Sequence, residues 1–376
     1  MRILLLGDYS NCHRTLATGL RSLGCDVTVA SDGSRWMDTA RDVDVSRRWK
    51  SKAGGFLHWI NLERLLCGRL SGFDIVAVND PVFASLRPER MHSLLKHLKK
   101  HNGALFYTAM STDIAYLDMV ASPDTPLRYS EWFVEGKPSR MNAANPAKWY
   151  EWHSKELVGY QNRFFDEIDG AVSVLYEYHL GMERRLGKEK SAYGGLPVDT
   201  ELYEPVELPE DIEIEKVRLF LGRDRLRKLM KGSDLLEEAA RDVICRHHDK
   251  AELTIVENRP FSEFTALLKS AHVVLDQIYS YTPATTALMA MSYGLNVVSG
   301  AEPEYYDFIG ETENRPIINA PIDLEQLVGV MEDIVLNPGC IADRGRRSRE
   351  FAVKHNDCRV VARRFLDFWK KRIEER

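Results

Sequence analysis

The stretch His272–Glu311 reads HVVLDQIYSYTPATTALMAMSYGLNVVSGAEPEYYDFIGE. Its first five residues, HVVLD, form a short apolar run that predicts a buried strand. Thr282 and Pro283 suit the N-cap and the first position of a helix, and Gly294 suits the residue just after its end. Leu295–Ser299 is a second apolar run. The stretch therefore predicts a strand, a turn, a helix and a strand, which form the βαβ unit of a parallel sheet.

The beginning of this predicted helix is a candidate anion site. The amides of Ala284, Thr285 and Thr286 would be the first of the helix, and such amides lack backbone partners. Together with the helix dipole they favour a negative charge, and the small side chains there let a phosphate approach. The alternative is an ordinary connection between a strand and a helix, because a helix N-terminus binds anions only when other groups supply specificity.

The helix and the turn after it resemble the donor site of a known enzyme group. Residues 287–294 read ALMAMSYG, and they are followed by VVSG and by EPE at 302–304. This order is similar to the LEAMAxG helix and GGxxE-like turn of GT-B glycosyltransferases, especially the large retaining group called family 4. In that family a pair of glutamates usually flanks the helix start, and the second holds the nucleotide ribose. Here those positions are Tyr281 and Met289, which cannot accept hydrogen bonds as carboxylates do.

The composition excludes several classes of protein. The chain has 376 residues, enough for two or three domains, and 44% hydrophobic with 28% charged residues is typical of a globular protein. A net charge of −5 argues against nucleic-acid binding. No apolar run approaches the ~18 residues of a membrane span, and the N-terminus fits a first strand better than a signal peptide. The six cysteines are scattered, which indicates reduced thiols rather than a disulfide or zinc framework.

The first half of the chain has the pattern of a Rossmann-like domain. Arg2–Leu6 and Asp26–Ala30 predict strands on either side of a helix. Of the GxGxxG fingerprint only Gly7 is present, which argues against a dinucleotide oxidoreductase. Residues 32–70, rich in arginine, tryptophan and glycine, are interpreted as a connection. In a GT-B fold such a loop faces the cleft and holds the acceptor, and the alternative is a solvated charged connection.

His13 and Asp113 are the candidate catalytic residues. Family-4 enzymes often carry a histidine near the start of the first helix, in a loop that faces the acceptor, and His13 has the similar place. Asp113 follows the predicted strand Ala104–Thr108, near which the family often has a catalytically relevant histidine. The alternative for His13 is a helix-start residue with no role, and the alternative for Asp113 is a cap of the following helix.

A basic loop opens the second half. The dipeptide GR ends at Arg223 after a predicted strand, and KG begins at Lys231. This is similar to the family's GR…KG element, whose two cations neutralise the donor diphosphate, because charge builds up on that leaving group as the sugar bond breaks. The resemblance makes Arg223 and Lys231 diphosphate ligands, with Lys228 in reserve because the loop is longer than usual. The alternative is a solvated basic loop.

The resemblance also assigns the base and the sugar of the donor. Asn258 and Arg259 follow the predicted strand Glu252–Glu257, where the family contacts the base. Glu304 matches the glutamate of the GGxxE turn and would hydrogen-bond the donor sugar, with Glu302 beside it.

Two further segments concern surfaces. Residues 119–160 combine many aromatic residues with four prolines, which suits a sugar platform or a membrane-facing flap, and the alternative is a hydrophobic cluster under a long loop. The predicted final helix, about 357–373, has an apolar face and a basic face. With the arginines at 344–349, the basic face could meet an anionic membrane surface, and the alternative is a solvated face.

These features predict an α/β protein of GT-B architecture, with two Rossmann-like domains whose parallel sheets face a central cleft. Residues 1–200 would bind the acceptor, with the helix at about 357–376 packing back on them, and residues 201–356 would bind the donor, beginning with a linker at 204–215. As the resemblance implies, a hexosyltransferase-type glycosyltransferase would move a sugar, with retention, from a UDP- or GDP-sugar to a glycan or lipid-linked acceptor. Its pathway would be the synthesis of cell-surface polysaccharide or glycoconjugate.

No cofactor other than the nucleotide-sugar co-substrate is expected, and no metal, because the DxD motif at 42–44 lies in a charged loop with no strand before it. We expect a cytoplasmic protein, either free or peripheral at the inner face of the membrane. Two alternatives share the fold. A non-catalytic nucleotide-sugar-binding or scaffold protein would explain the loss of the glutamates at Tyr281 and Met289. A nucleotide-sugar epimerase would need paired acid and base groups, which the sequence does not identify.

Overall fold

The computed structural model describes residues 1–33, 39–84, 86–206, 208 and 214–376. The chain forms two compact units. Unit 1 comprises Met1–Thr125, Asn145–Asp199 and Cys358–Arg376, and unit 2 comprises Pro126–Ala144 and Thr200–Asp357. The segment Pro126–Ala144 therefore belongs to unit 2, whereas the sequence analysis places it in the first domain. Of the linker expected at 204–215, residues 207 and 209–213 lie outside the described residues.

The helices and strands up to residue 199 are, in chain order, β1 (Arg2–Leu6), α1 (Cys12–Ser22), β2 (Asp26–Ser31), β3 (Val43–Asp44), α2 (Lys52–Cys67), β4 (Ile75–Val78), α3 (Pro88–His101), β5 (Ala104–Ala109), α4 (Ile114–Val120), β6 (Phe133–Val134), β7 (Lys137–Pro138), α5 (Arg140–Ala144), α6 (Pro146–Trp152), α7 (Lys155–Glu167), β8 (Gly170–Ser173), α8 (Tyr176–Leu186) and β9 (Ser191–Tyr193). Those that follow are β10 (Val217–Gly222), α9 (Lys228–Lys231), α10 (Ser233–Arg246), β11 (Ala251–Val256), α11 (Phe261–Lys269), β12 (Val273–Leu275), α12 (Thr285–Ser292), β13 (Asn296–Ser299), α13 (Pro303–Ile309), β14 (Ile318–Asn319), α14 (Leu324–Leu336), α15 (Ile341–Asn356) and α16 (Cys358–Glu374).

Unit 1 is built on a parallel sheet with the strand order β3-β2-β1-β4-β5-β8-β9. The strands β4 and β5 are buried along their whole length, as expected for a sheet with helices on both faces. The order of the strands reverses between β1 and β4. In open α/β sheets such a reversal opens a crevice at the carboxyl ends of the two strands.

Unit 2 has its own parallel sheet, with the order β11-β10-β12-β13-β14. The elements β12, α12 and β13 form the βαβ unit that the stretch His272–Glu311 predicts, so that prediction is confirmed. The strand order reverses here between β10 and β12, which places the crevice of unit 2 at the carboxyl ends of those strands.

A helix lies in residues 32–70, where the sequence analysis has a connection. Helix α2 begins after Ser51, whose side chain accepts a hydrogen bond from the Gly54 amide at 3.0 Å. A Cβ atom on Gly54 would lie 2.5 Å from the Trp49 carbonyl oxygen. Glycine lowers helix propensity, but here it permits a close approach of the backbone, and this is why the local pattern did not predict the helix.

The DxD motif at 42–44 also differs from its expected setting, since Val43 and Asp44 form β3 at the edge of the first sheet. The Asp42 carboxylate accepts hydrogen bonds from the Val29 amide and from the Arg21 guanidinium, each at 2.8 Å. These contacts give Asp42 a structural role in joining β3 to its neighbours.

The C-terminal helix α16 belongs to unit 1, where it packs on α1. Their backbones approach closely, because a Cβ atom on Gly19 would lie 2.0 Å from the Cys358 carbonyl oxygen. Phe365 and Trp369 are fully buried on the apolar face of α16, and the Trp369 ring lies 5.8 Å from that of Phe106 in β5. The apolar stripe of the last helix thus completes the core of unit 1.

Basic residues near the C-terminus have partners within their own units. Arg349 donates to the Tyr203 carbonyl at 2.9 Å, and Arg346 forms an ion pair with Glu350 at 2.9 Å. In unit 1, Arg364 donates to the Gly194 carbonyl at 3.1 Å. Among the helices of the described ranges, none combines the length and apolarity needed to cross a bilayer. Contact with a membrane surface stays a prediction.

Candidate functional site

The candidate site of unit 2 lies at the carboxyl ends of β10 and β12. Leu221 of β10 is paired with Leu275 of β12, so Arg223 and Asp276 leave the ends of neighbouring strands. Helix α12 begins at Thr285 after the turn that follows β12. A strand reversal, a basic loop and a helix N-terminus therefore meet at the place where open α/β sheets bind ligands.

Asp276 holds this site together, and the sequence analysis missed it. This residue is 3% exposed, and its carboxylate accepts hydrogen bonds from the Ala284 amide at 3.2 Å and the Ser299 hydroxyl at 3.1 Å. Lys231 Nζ lies 3.4 Å from its other oxygen. A buried carboxylate needs such partners. The available signal was its position as the first charged residue after a wholly apolar strand.

Helix α12 starts later than the sequence predicts. Its N-cap is Ala284, which has no side-chain cap, and the predicted cap and proline lie in the preceding turn. The Ala284 amide donates a hydrogen bond to the Asp276 carboxylate. In the part of the chain that the structure describes, the amides of Thr285 and Thr286 have no hydrogen-bond partner. Two of the three predicted amides are therefore available to an anion at the positive end of the helix.

Arg223 is fixed between two carboxylates of unit 2. Its guanidinium donates to Glu257 and to Glu237 of α10, and these hydrogen bonds raise its pKa above the ordinary value. Arg225 and Arg241 donate to the same two carboxylates, at 2.8 and 3.0 Å. Three guanidiniums thus meet two carboxylates, and the cluster keeps one net positive charge beside the strand end.

Of the two candidate lysines in the basic loop, Lys231 is the one that contacts Asp276. Lys231 ends α9 and contacts Asp276, whereas Lys228 is exposed at the other end of this short helix. Gly232 follows with a φ of 69°, a left-handed conformation that glycine adopts at no steric cost. The turn there is fixed by the Ile278 amide, which donates to the Lys231 carbonyl at 2.8 Å.

The two predicted sugar-binding carboxylates are already paired. Glu302 is the N-cap of α13 and is 7% exposed. It accepts hydrogen bonds from the Tyr129 hydroxyl at 2.5 Å and from the Asn319 side-chain amide at 2.9 Å. Arg128 bridges the pair, since its guanidinium donates to Glu302 at 2.5 Å and also to Glu304. Donor hydroxyls would have to compete with this guanidinium for both carboxylates.

The partners Arg128 and Tyr129 come from the segment Pro126–Ala144, and the sequence analysis did not identify them. The Arg128 amide donates to the Tyr281 hydroxyl at 2.7 Å, and the rings of Tyr129 and Tyr281 lie 4.9 Å apart. Tyr281 is the position that the resemblance matches to the first glutamate of family 4. It contacts the segment in two ways, because its hydroxyl accepts a backbone amide and its ring packs against a second ring. We refer to Pro126–Ala144 as the docked segment.

The predicted base-binding residues occupy the turn between β11 and α11. Asn258 has a φ of 49°, and Arg259 is paired with Glu263 one turn further along, at 3.5 Å. Both follow the strand end of β11, next to Glu257, which holds Arg223. Their contacts are local, and the role in base binding stays a prediction.

His13 is enclosed in unit 1. Its Nδ1 lies 2.7 Å from the Gly7 carbonyl oxygen and its Nε2 lies 2.9 Å from the Thr108 hydroxyl. A carbonyl oxygen only accepts, so Nδ1 carries the proton and Nε2 accepts from Thr108. Burial lowers the pKa of His13 to about 4, which leaves the ring neutral near pH 7. The histidine therefore joins the ends of β1 and β5.

Asp113 caps α4, which is the alternative that the sequence analysis considers for it. Its carboxylate accepts from the Tyr116 amide and the Tyr107 hydroxyl, each at 2.8 Å. Burial, together with the charge of Asp80, raises the pKa of Asp113 to about 7. Asp80 follows β4 and accepts from the Ser111 hydroxyl at 3.1 Å. No local sequence pattern marks Asp80 or its proximity to Asp113.

Replacing Asp113 with asparagine is expected to stabilise the protein more at pH 8 than at pH 5. The pKa of this carboxyl is about 7 in the folded state and 3.8 ordinarily, so between these values only the folded state binds the proton. The contribution of this group to the free energy of unfolding is full below pH 3.8. It falls by up to about 1.4 kcal/mol per pH unit as the pH rises to about 7, the pKa in the folded state. Asparagine keeps the N-cap and a partner for Tyr107.

Urea unfolding of both proteins across this pH range measures the difference in free energy. A difference between the two proteins that does not change with pH would contradict the raised pKa.

No protein-family model matches the chain, and no curated protein matches it. Solved structures do match. Sucrose-phosphate synthase from Thermosynechococcus elongatus is 13% identical with a TM-score of 0.61, and the match covers 100% of both chains. HepE from Anabaena, in complex with UDP-glucose, is 13% identical with a TM-score of 0.60, covering 99% of this chain and 100% of that one.

WaaG, a glycosyltransferase involved in lipopolysaccharide biosynthesis, is also similar. It is 12% identical with a TM-score of 0.56, and the match covers 98% of this chain and 99% of that chain. At such identities the likeness shows the fold alone. The chain has the fold of GT-B glycosyltransferases, and the predicted fold class is confirmed.

Proposed function

We propose that this chain is a glycosyltransferase that binds a nucleotide-sugar at the strand reversal of unit 2 and transfers the sugar to a glycan or lipid-linked acceptor. The observation that carries the proposal is the arrangement around Asp276. This buried carboxylate fixes Lys231 and the start of α12 beside the strand end that bears Arg223. The result is a pre-formed anion site at the position where α/β sheets bind ligands.

The diphosphate of the donor would lie on the amides of Thr285 and Thr286, with Lys231 and Arg223 as cationic partners. Negative charge grows on the leaving nucleoside diphosphate as the bond to the sugar breaks, and fixed cations and amides stabilise that charge. Asp276 would position these groups without touching the donor. Because it already holds Lys231 in place, little reorganisation is needed when the donor binds.

The sugar and the base would contact the residues that the resemblance assigns. Glu302 and Glu304 would accept hydrogen bonds from sugar hydroxyls once Arg128 releases them, and Asn258 and Arg259 would contact the base. We place UDP before GDP because HepE is described in complex with UDP-glucose. Cell-surface glycan synthesis is the proposed setting, in line with the described role of WaaG.

We further assign the chain to the retaining, family-4 type of reaction, without a metal, in the cytoplasm. This assignment rests on the resemblance of the ALMAMSYG helix and of the GR…KG loop, whose two cations are Arg223 and Lys231. Asp113 is the proposed acid or base on the acceptor side because of the place that the resemblance gives it after β5, and its pKa of about 7 is compatible with proton transfer near neutral pH. His13 would position the strand ends rather than exchange protons.

A second candidate is a nucleotide-sugar-binding or scaffold protein with no transfer activity. The specific observation in its favour is the docked segment, whose Arg128 and Tyr129 occupy the carboxylate of Glu302. In this candidate the contacts are permanent, so the diphosphate site binds but the sugar subsite stays closed.

Calorimetric titration tests the proposal, first with UDP, GDP, ADP and CMP and then with the matching sugar nucleotides. We expect micromolar binding of one nucleoside diphosphate. Release of that diphosphate from the sugar nucleotide, in the presence of a glycan or lipid-linked acceptor, would establish transfer. Binding without release would favour the scaffold candidate, and no binding of any nucleotide would contradict both.

A further inference from the structure

A second group of reactive side chains lies in unit 1, at the ends of α2 and α3. Cys67 is the last residue of α2, and His97 and His101 lie one turn apart at the end of α3. One ligand atom from each of the three lies within 4.8 Å of the others. The two imidazole rings are nearly parallel, 6° apart in orientation, with centroids 6.0 Å apart. A thiol and two imidazoles thus share one small volume.

The closest distance in this group fits two ligands of a single metal ion. Cys67 Sγ lies 3.4 Å from His97 Nδ1. A tetrahedral zinc ion, with Zn–S of about 2.3 Å and Zn–N of about 2.05 Å, would hold the two ligand atoms about 3.5 Å apart. A simple hydrogen bond between the thiol and the ring gives a similar distance, but it would need neither His101 nor the contact described next.

The other nitrogen of His97 faces a carboxylate. His97 Nε2 lies 3.6 Å from Glu63 Oε1, and Glu63 precedes Cys67 by one turn of α2. The same carboxylate oxygen accepts from the Ser93 hydroxyl at 2.5 Å, which fixes its orientation. Metal-bound histidines commonly donate their second N–H to a carboxylate, which sets the tautomer and strengthens the ligand. The 3.6 Å separation is slightly longer than a hydrogen bond, so Glu63 is near the place where such an acceptor is needed.

Helix ends and basic side chains set the electrostatics of this group. Both helices end here, so the negative ends of two helix dipoles lie beside it, while the same last turns carry Arg64, Lys99 and Lys100. Cys67 is exposed, which leaves room for an ion to enter from solvent and for water to be a ligand. Zinc sites with three protein ligands and one water are common in proteins.

We propose that Cys67, His97 and His101 bind a zinc ion, with Glu63 orienting His97 and a water molecule as the fourth ligand. A thiolate with two imidazoles suits zinc, whereas magnesium and calcium prefer oxygen ligands. The ion joins α2 to α3 and is independent of the donor site in unit 2. The cysteine spacing could not predict this site, because its ligands come from two helices and only one is a cysteine.

Titration of the metal-free full-length chain with Co²⁺ tests the proposal, because tetrahedral cobalt with a thiolate ligand has a thiolate-to-metal charge-transfer band and intense visible bands. We expect one equivalent of cobalt to produce both sets of bands and zinc to displace it. Absence of a one-to-one complex with a charge-transfer band would overturn the proposal.

Variants show where the ion binds. Cys67→Ser is expected to remove the charge-transfer band, and His101→Ala to weaken cobalt binding, while the matched control Cys245→Ser, at another exposed cysteine, retains the full spectrum. Glu63→Gln is expected to keep the band but to lower the affinity about 10- to 100-fold. A band that persists in Cys67→Ser, or that depends on Cys245, would place the metal elsewhere and refute the assignment. Circular dichroism confirms that each variant is folded.

Discussion

Replacing Arg223 with alanine is expected to lower the affinity for the nucleoside diphosphate by about two orders of magnitude. The loss of charge-assisted hydrogen bonds costs about 1.5–3 kcal/mol, or roughly 10- to 100-fold in affinity. A second effect adds to the first, because Arg223 neutralises Glu237 and Glu257. Without it, the cluster loses its net positive charge beside the strand end, because Arg225 and Arg241 only balance the two carboxylates. Calorimetric titration with UDP and GDP measures the change.

The matched control is Arg225→Ala. Arg225 pairs with the same Glu257 but its side chain is 74% exposed, and exposed ion pairs contribute about 1 kcal/mol or less. We expect its affinity to fall less than about fivefold. The double variant Arg223→Ala/Glu257→Gln should recover part of the loss, since it removes one repelling charge. A folded Arg223→Ala protein that binds as tightly as the unaltered chain would remove Arg223 from the phosphate site.

Replacing Arg128 with alanine is expected to raise the affinity for the sugar nucleotide at least about tenfold while the affinity for the free nucleoside diphosphate stays the same. Arg128 bridges the buried Glu302 and the more exposed Glu304. Its charge-assisted hydrogen bond to the buried carboxylate, which the sugar must displace, costs about 1.5–3 kcal/mol, whereas the more exposed pair contributes about 1 kcal/mol or less. The variant offers both carboxylates to the sugar hydroxyls. Only the sugar of the donor reaches these glutamates, so only the affinity for the sugar nucleotide should rise. The measured quantity is therefore the ratio of the affinity for the sugar nucleotide to the affinity for the free nucleoside diphosphate.

Arg140→Ala is the control for loosening of the docked segment. Arg140 belongs to the same segment, but it forms its ion pair with Asp234, at 2.6 Å, and not with Glu302 or Glu304. It should leave the affinity ratio unchanged. A lower affinity of Arg128→Ala for the sugar nucleotide would instead make Arg128 a sugar-binding residue. An equal change for both ligands would show that Glu302 and Glu304 do not contact the sugar.

Arg128→Ala is also expected to leave the protein folded. Arg128→Ala leaves Glu302 with Tyr129 and Asn319 as partners, so the buried carboxylate is not orphaned, and we expect a modest loss of stability. The pKa of Arg128 is raised by its hydrogen bond with Glu304, which means that the guanidinium remains charged at any accessible pH. Deprotonation of the guanidinium therefore does not release the contact near neutral pH, and the donor itself has to compete for the carboxylates.

The alternation of apolar runs and helix-forming stretches was sufficient to predict the parallel sheets, because strand burial and helix periodicity are local properties of a sequence. The unit from β12 to β13 follows from His272–Glu311 alone. The first residue of α12 does not follow from this stretch, since the local pattern places the N-cap just before Pro283. In the structure the Asp276 carboxylate reaches the Ala284 amide, and this contact across the turn sets where the exposed amides lie.

The sequence identified the candidate cations of the site but not the residues that hold them. The basic loop and the acidic turn could be recognised from residue types and order, and the structure places Arg223 and Lys231 at the strand reversal. Asp276, Glu237 and Glu257, which hold these cations, had no distinguishing local pattern. Helix α2 was not predicted either. Glycine lowers helix propensity, and the close backbone contact of Gly54 with Trp49, which requires a glycine, is visible only in the structure.

The sequence by itself thus determined the fold class, the βαβ unit and the candidate cations, all of which depend on residues close together in the chain. Tertiary structure alone decided that Arg128 pairs with Glu302, 174 residues away, and that Cys67 meets His97, 30 residues away. The physical reason is that a charge or a thiol finds its partner through the packing of whole elements. Local periodicity specifies which face of an element is buried, but not which side chain from elsewhere it meets.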